Sequence, residues 1–191
     1  MEFIFGTLMG IGLSAACGFR VFVPFLVMSF SAKMSYVKLT PGFEWIASDP
    51  ALACFLIATI AEISAYYVPF VDNALDTAAA PVAVVAGIIL TASAVGDISP
   101  FLKWTLAIIA GGGAAATVQG LTTVTRLTSS VATAGTGNPA VSTAEAAGSL
   151  TLSLVAIFLP VIAFVIFIVL IIYFIRKKTK VIPAAIPAEK Q

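Results

Sequence analysis

The chain has 191 residues, 60% of them hydrophobic and 10% charged, with a formal charge of +1 and no histidine. Soluble domains carry about 25% charged residues, so this composition, with a mean hydropathy of +1.09, argues against a soluble enzyme. The small net charge leaves no footprint for nucleic acid, the missing histidine removes His-based catalysis and imidazole metal sites, and Cys17 and Cys54 alone cannot build a disulfide framework, zinc ribbon or iron–sulfur centre.

What remains is an all-α polytopic integral membrane protein. It is read as one transmembrane domain over 1–178 and a short flexible cytoplasmic tail over 179–191. A spanning helix needs about 20 mostly apolar residues, and the charge-poor stretches predict five spans at about 3–31, 50–68, 79–96, 103–126 and 140–176. The first contains Pro24 and the last Pro160, so both are predicted to kink. A straight helix over 140–176 would be roughly 55 Å long, against a hydrocarbon core of about 30 Å. It must therefore tilt, project, bend or split at Pro160, with a Ser/Thr/Gly-rich first half inside the bundle and a greasy second half toward lipid. Near the start, Leu13-Ser14-Ala15-Ala16-Cys17 faintly resembles a lipoprotein cleavage box, but Glu2 opens the segment where a signal peptide has basic residues.

Lys33, Lys38, Lys103 and the run Arg176, Lys177, Lys178, Lys180 mark the predicted cytoplasmic side, while the loops around 69–78 and 127–139 have no Lys or Arg. Five spans with the N-terminus outside and the C-terminus in the cytoplasm of a cell-membrane protein place every basic loop on one side.

Intramembrane charges are the sharpest functional signal, because an arginine at mid-helix costs about 2.5–3.5 kcal/mol on insertion scales. Arg20, Glu62, Arg126 and Glu145 are such residues, and the pairing Arg126–Glu145 is predicted across the short loop between their helices. The order of arginine segment, loop, Asx-Pro-Ala and glutamate segment occurs twice, through Asp49-Pro50-Ala51 and Asn138-Pro139-Ala140. Three spans separate the equivalents Gly12–Arg20 and Gly120–Arg126, so their helices are expected to run oppositely, as in an inverted-topology repeat. Asn138 opens a helix whose free amides favour an anion, beside a hydroxyl-rich run from Thr122 to Thr136.

Other features read as structural. Small residues every four positions, Gly6, Gly10, Ser14, Gly18 and Gly112, Ala116, Gly120, predict close helix packing within the chain or between copies. Gly111-Gly112-Gly113 has neither the strand before it nor the lysine after it that a phosphate loop needs. Asp72 and Asp76, four apart, are weak candidates for a hard cation and better candidates for a helix cap. No other metal site and no cofactor is predicted.

The same residues carry a family resemblance. Gly18-x-Arg20 with Pro24, the segment Val68-Pro69-Phe70-Val71-Asp72-Asn73-Ala74-Leu75-Asp76 after a glutamate, and Thr125-Arg126 before Gly137-Asn138-Pro139-Ala140-Val141-Ser142-Thr143-Ala144-Glu145 resemble the bacterial membrane family called domain of unknown function 4126. The resemblance covers about 6–175 and implies a multi-spanning architecture without an established activity. The chain departs from the pattern at Tyr67 and Val68, where the family implies a basic residue, and at Ala146, where it implies an acidic one.

Together these features predict a small inverted-repeat transport protein or channel, homo-oligomeric, passing a small ion or amphiphile near Arg20, Glu62, Arg126, Asn138 and Glu145. The alternative is a non-transporting scaffold or assembly factor whose charges only fix helix packing. An intramembrane enzyme has little behind it, since Glu62 has no nucleophile, metal cage or cofactor motif beside it.

Overall fold

The computed structural model describes residues 2–67 and 69–179; the side chains of 68–77, 175 and 177–179 lie outside the described residues. The described residues are helical, with no strand among them. In chain order the helices are α1 (Glu2–Cys17), α2 (Phe22–Lys33), α3 (Asp49–Ala65), α4 (Pro69–Ala94), α5 (Pro100–Leu106), α6 (Gly113–Thr133), α7 (Asn138–Phe158) and α8 (Pro160–Thr179). A wide π-helical segment, Ala107–Gly112, joins α5 to α6 without a break.

Proline and polar caps set many of the starts. Ser48 accepts from the Ala51 amide ahead of Pro50 in α3, and Ser99 stands in the same place ahead of Pro100 in α5. Proline at the first helical position lacks an N–H that would be unpaired there anyway. The same logic corrects two of the predicted spans. Residues 3–31 are not one kinked helix: the chain leaves helical geometry between Cys17 and Phe22, and Pro24 falls in the first turn of α2, where it starts a helix. Residues 140–176 are two helices, with Leu159 in a non-helical conformation (φ −138°, ψ 63°) and Pro160 opening α8.

Neighbours fix the helix directions. Gly6 abuts Ala94, Gly10 abuts Thr91 and the Ser14 hydroxyl donates to the Gly87 carbonyl at 2.6 Å, so α1 and α4 are antiparallel. Gly12 lies against both Ala156 and Ala163. At the other end of the same helices, Phe19 shares a cavity wall with Val141, Glu145 and Phe174. Thus α7 and α8 form an antiparallel hairpin, α7 opposed to α1 and α8 parallel to it. Tyr36, just past α2, stacks edge-on to Phe158 at 5.8 Å, so α2 turns back alongside α1 as a second hairpin.

One end of the bundle therefore gathers the start of α1, the end of α2, the end of α4 and the α7–α8 turn; here it is termed the amino end. There Thr40 donates its amide to the Ser93 carbonyl at 2.9 Å, and Lys103 of α5 lies over the Phe43 ring. The far end gathers the ends of α3, α6 and α8 and the start of α7. Gly18 meets Ala115 and Val118 while Gly111 meets Gly87 and Thr91, so α6 is parallel to α1. The antiparallel relation expected between Gly12–Arg20 and Gly120–Arg126 is thereby corrected; α3 and α7 do run oppositely.

Polarity is distributed inside out. Buried positions include Ser14, Ser29, Thr91, Ser142, Ser149 and Ser153, whereas Ile57, Ile109 and Val131 are 67%, 70% and 89% exposed. On α8 only Ala163 and Phe167 are buried among the described side chains, and α7 carries the polar interior, which is the division predicted for this region. Among the described residues, two helices are long and apolar enough to cross a membrane, Pro100–Thr133 and Asn138–Phe158.

Candidate functional site: a buried arginine–glutamate cluster at a hairpin tip

Residues 18–21 form the tip of the α1–α2 hairpin, and breaking a helix inside a bundle frees backbone groups that need partners. Neighbouring helices supply them. The Ser149 hydroxyl of α7 donates to the Ala16 carbonyl at 3.0 Å and reaches that of Arg20 at 3.4 Å, and Thr122 of α6 donates to the Gly18 carbonyl at 3.3 Å. On the amide side, Val21 and Phe22 donate to the two Glu62 carboxylate oxygens at 2.7 and 3.0 Å. Glu62 thus caps α2, where a carboxylate also meets the positive end of the helix dipole.

Arg20 projects from this tip into the interior and is 1% exposed. Its Nη2 donates to the Ser142 carbonyl at 3.0 Å and to the Ser142 hydroxyl, and lies 3.3 Å from Glu145 Oε2. Arg126, 3% exposed, donates Nε to both Glu145 oxygens at 3.0 and 3.1 Å, and Nη2 to Oε2. Tyr66, one turn beyond Glu62 at the C-terminal cap of α3, lies against both guanidinium groups, its ring centre 3.7 Å from the Arg20 carbon and 4.2 Å from that of Arg126. Arg20 Nε and Nη1 are buried and have no hydrogen-bond partner among the described residues.

The predicted Arg126–Glu145 pair is present, but the two separate pairs suggested by the repeat are not. Both arginines converge on Glu145, and Glu62 serves backbone. Asn138 sits apart, its side chain exchanging hydrogen bonds with Ser130 across the α6–α7 turn. Asp72 and Asp76 fall among the side chains outside the described residues. Tyr66 was missed by the sequence reading; its position four residues after Glu62, on the same helical face, is the signal that was available.

The packing stripes divide as well. Gly6, Gly10 and Ser14 face α4, Gly18 faces α6, and Gly112 faces Ile88 of α4. Gly120 has open space beside it and Ala116 is exposed, so the lower half of the second stripe packs against nothing among the described residues. The π-helical turn instead brings Gly111 forward, and the backbones of Gly87 and Gly111 meet with Thr91 between them.

Two cavities flank the cluster. One, of about 450 Å³, lies between α3 and α4 and is walled by Ala58, Ala61, Glu62, Ala78 and Val82. The other, of about 210 Å³, lies between α6, α7 and α8 and is walled by Val141, Ala144, Glu145 and Leu170 among others. In each, a glutamate and the residues one and four before it form one wall.

The family model described as "Domain of unknown function (DUF4126)" matches residues 7–180. The chain belongs to this family. No curated protein and no solved structure matches it. Within the family match fall the hairpin tip, both arginines, both glutamates and Tyr66, so the cluster is part of the family domain rather than an addition to it.

Proposed function

We propose that this protein is a small multi-pass membrane transport protein, without enzymatic activity, whose solute is a small anion or anionic amphiphile. The observation that carries it is the hairpin tip, where a broken helix presents a buried arginine with two donors that have no partner among the described residues. Irregular backbone is tolerated at membrane depth where it is enclosed by protein or lines a cavity, and transporters use such broken helices as solute sites. In this reading an anion takes the free Nε and Nη1 donors of Arg20, while Glu145 and Ser142 hold its remaining edge. Arg126, Tyr66 and Glu62 fix the geometry, and Asn138 belongs to the approach from the far end.

The inside-out distribution of serines and aliphatic side chains supports a lipid surroundings for the bundle, as do the two long apolar helices. The directions of the helices place Glu2 and the α8 terminus at opposite ends. We keep the N-terminus outside and the C-terminus cytoplasmic on the basic run that begins at Arg176 in the last turns of α8, although Lys33, Lys38 and Lys103 lie toward the opposite end. A homo-oligomer is favoured by the open small-residue face of α6 at Gly113, Ala116 and Gly120.

Proteoliposomes loaded with potassium chloride, nitrate or phosphate test the transport reading by light scattering after an osmotic step. Wild type should let at least one anion move faster than in protein-free vesicles, and Arg20→Gln should abolish the difference. The rival scaffold is favoured by the depth of burial of Arg20 and Arg126. It gains the field if wild type and empty vesicles behave alike for all three anions.

A further inference from the structure

α3 and α4 follow one another in the chain, yet among the described residues they barely touch. The walls between them are made of small side chains, Ala58, Ala61 and Ala65 on α3 and Ala78, Ala79 and Val82 on α4. Small residues on facing helices ordinarily let the backbones close up. Here the helices stay apart, and the alanines leave a slot of about 450 Å³. That lies within the range of small-molecule sites, roughly 300–1,000 Å³.

One wall of this slot is charged. Glu62 lines it beside Val21, Phe22 and Tyr66. An ionised carboxylate has about four acceptor positions, and the Val21 and Phe22 amides take two of those of Glu62. Both arginines of the cluster pair with Glu145 instead, and among the described residues Glu62 forms no ion pair. A carboxylate against apolar walls is costly unless a cation or a donor meets it, and hydrocarbon supplies neither. The chemistry that fits both parts of the slot is a positive, hydrogen-bonding head on an apolar body. We propose that the slot between α3 and α4 binds an amphipathic primary amine, its ammonium donating to Glu62 and its alkyl chain lying along the alanines. The site is separate from the anion site: Arg20 is not among its walls, and proteoliposomes that move no anion leave it standing.

Isothermal titration calorimetry of the protein in a non-ionic detergent tests it, with octylamine, octanol and octanoate at neutral pH and protein-free micelles as the blank. Wild type should bind octylammonium about tenfold or more tightly than octanol, a ratio that one charge-assisted hydrogen bond supports. Octanoate should bind least. Glu62→Gln should erase the preference for octylammonium over octanol. Ala61→Leu fills the slot from an exposed wall position and should weaken binding of both. Ala79→Leu fills it from α4 and gives the same answer should the first variant fail to fold. Equal binding of octylammonium and octanol by wild type overturns the proposal, as does the absence of protein-specific heat with any of the three. Undiminished octylammonium binding by folded Glu62→Gln, or by a folded slot-filled variant, overturns the site.

Discussion

At the scale of single residues, the balance of the cluster turns on one carboxylate serving two guanidinium groups. Removing one member of a buried ion pair costs about 3–5 kcal/mol, because the charge left behind is uncompensated. Glu145→Gln takes a carboxylate from both Arg20 and Arg126, whereas Arg20→Gln leaves Glu145 paired with Arg126. The expected order of thermal unfolding temperatures in detergent is therefore wild type above Arg20→Gln above Glu145→Gln, and the reverse order of the two variants would mean that Glu145 is not the hub. Glu62 predicts a smaller effect of another kind. Its role as a cap for Val21 and Phe22 is worth about 1–2 kcal/mol in alanine substitution. Glu62→Ala should lower the unfolding temperature measurably, and Glu62→Gln should lower it less, since the amide oxygen still accepts one of the two bonds. Equal losses would show that the negative charge, and not the acceptor geometry, is what holds the tip.

At the scale of elements, packing depends on which small residues face another backbone. A β-carbon added at Gly10 would stand 2.9 Å from the Thr91 Cα, a distance that only backbone movement relieves. One added at Gly120 would meet open space. Overpacking of this kind costs about 1–3 kcal/mol or more, while substitutions away from contacts stay within about 0.5 kcal/mol. Gly10→Val should accordingly depress folded yield and unfolding temperature, and Gly120→Val should match wild type as a monomer. A loss of oligomer in Gly120→Val, read by cross-linking, would mark that face as an interface between copies. The hairpins obey the same economy of backbone partners: the α1–α2 tip is stable because Ser149, Thr122 and Glu62 answer its open carbonyls and amides. Arg20 and Glu145 lie about 10 Å in from the end of α6, taking seven residues from Arg126 to Thr133 at 1.5 Å each.

At the scale of the whole molecule, two hairpins place charges differently from a serial set of spans. Lys33, Lys38 and Lys103 lie toward the amino end and Arg176, near the end of α8, toward the far end. A membrane-impermeant thiol reagent applied to intact cells checks this arrangement in a cysteine-free background. Cysteines at exposed Tyr36 and Thr136 should label from opposite sides of the membrane. Labelling of both from one side would contradict the placement of the end of α2 and the start of α7 at opposite ends of the bundle.

Composition alone determined the all-helical class and the polar-in, apolar-out character, since a chain with so few charges has no other way to divide its side chains. Sequence proximity also delivered Arg126 with Glu145, because only a short turn separates their helices, and Asx-Pro marked the starts of α3 and α7. The tertiary structure alone decided that Arg20 joins that pair, that Glu62 caps a helix, and that Tyr66 lies between the arginines. It also turned Pro24 from a predicted kink into part of a helix start, and chose the split at Pro160 over the bend. The physical reason is common to these cases. A charged group buried among helices takes whichever partner the packing brings within reach, and a proline at a helix break reads the same in sequence whether the next helix continues onward or folds back. Both outcomes are set by contacts between residues far apart in the chain, such as Gly12 with Ala156 and Ala163, which local pattern does not encode.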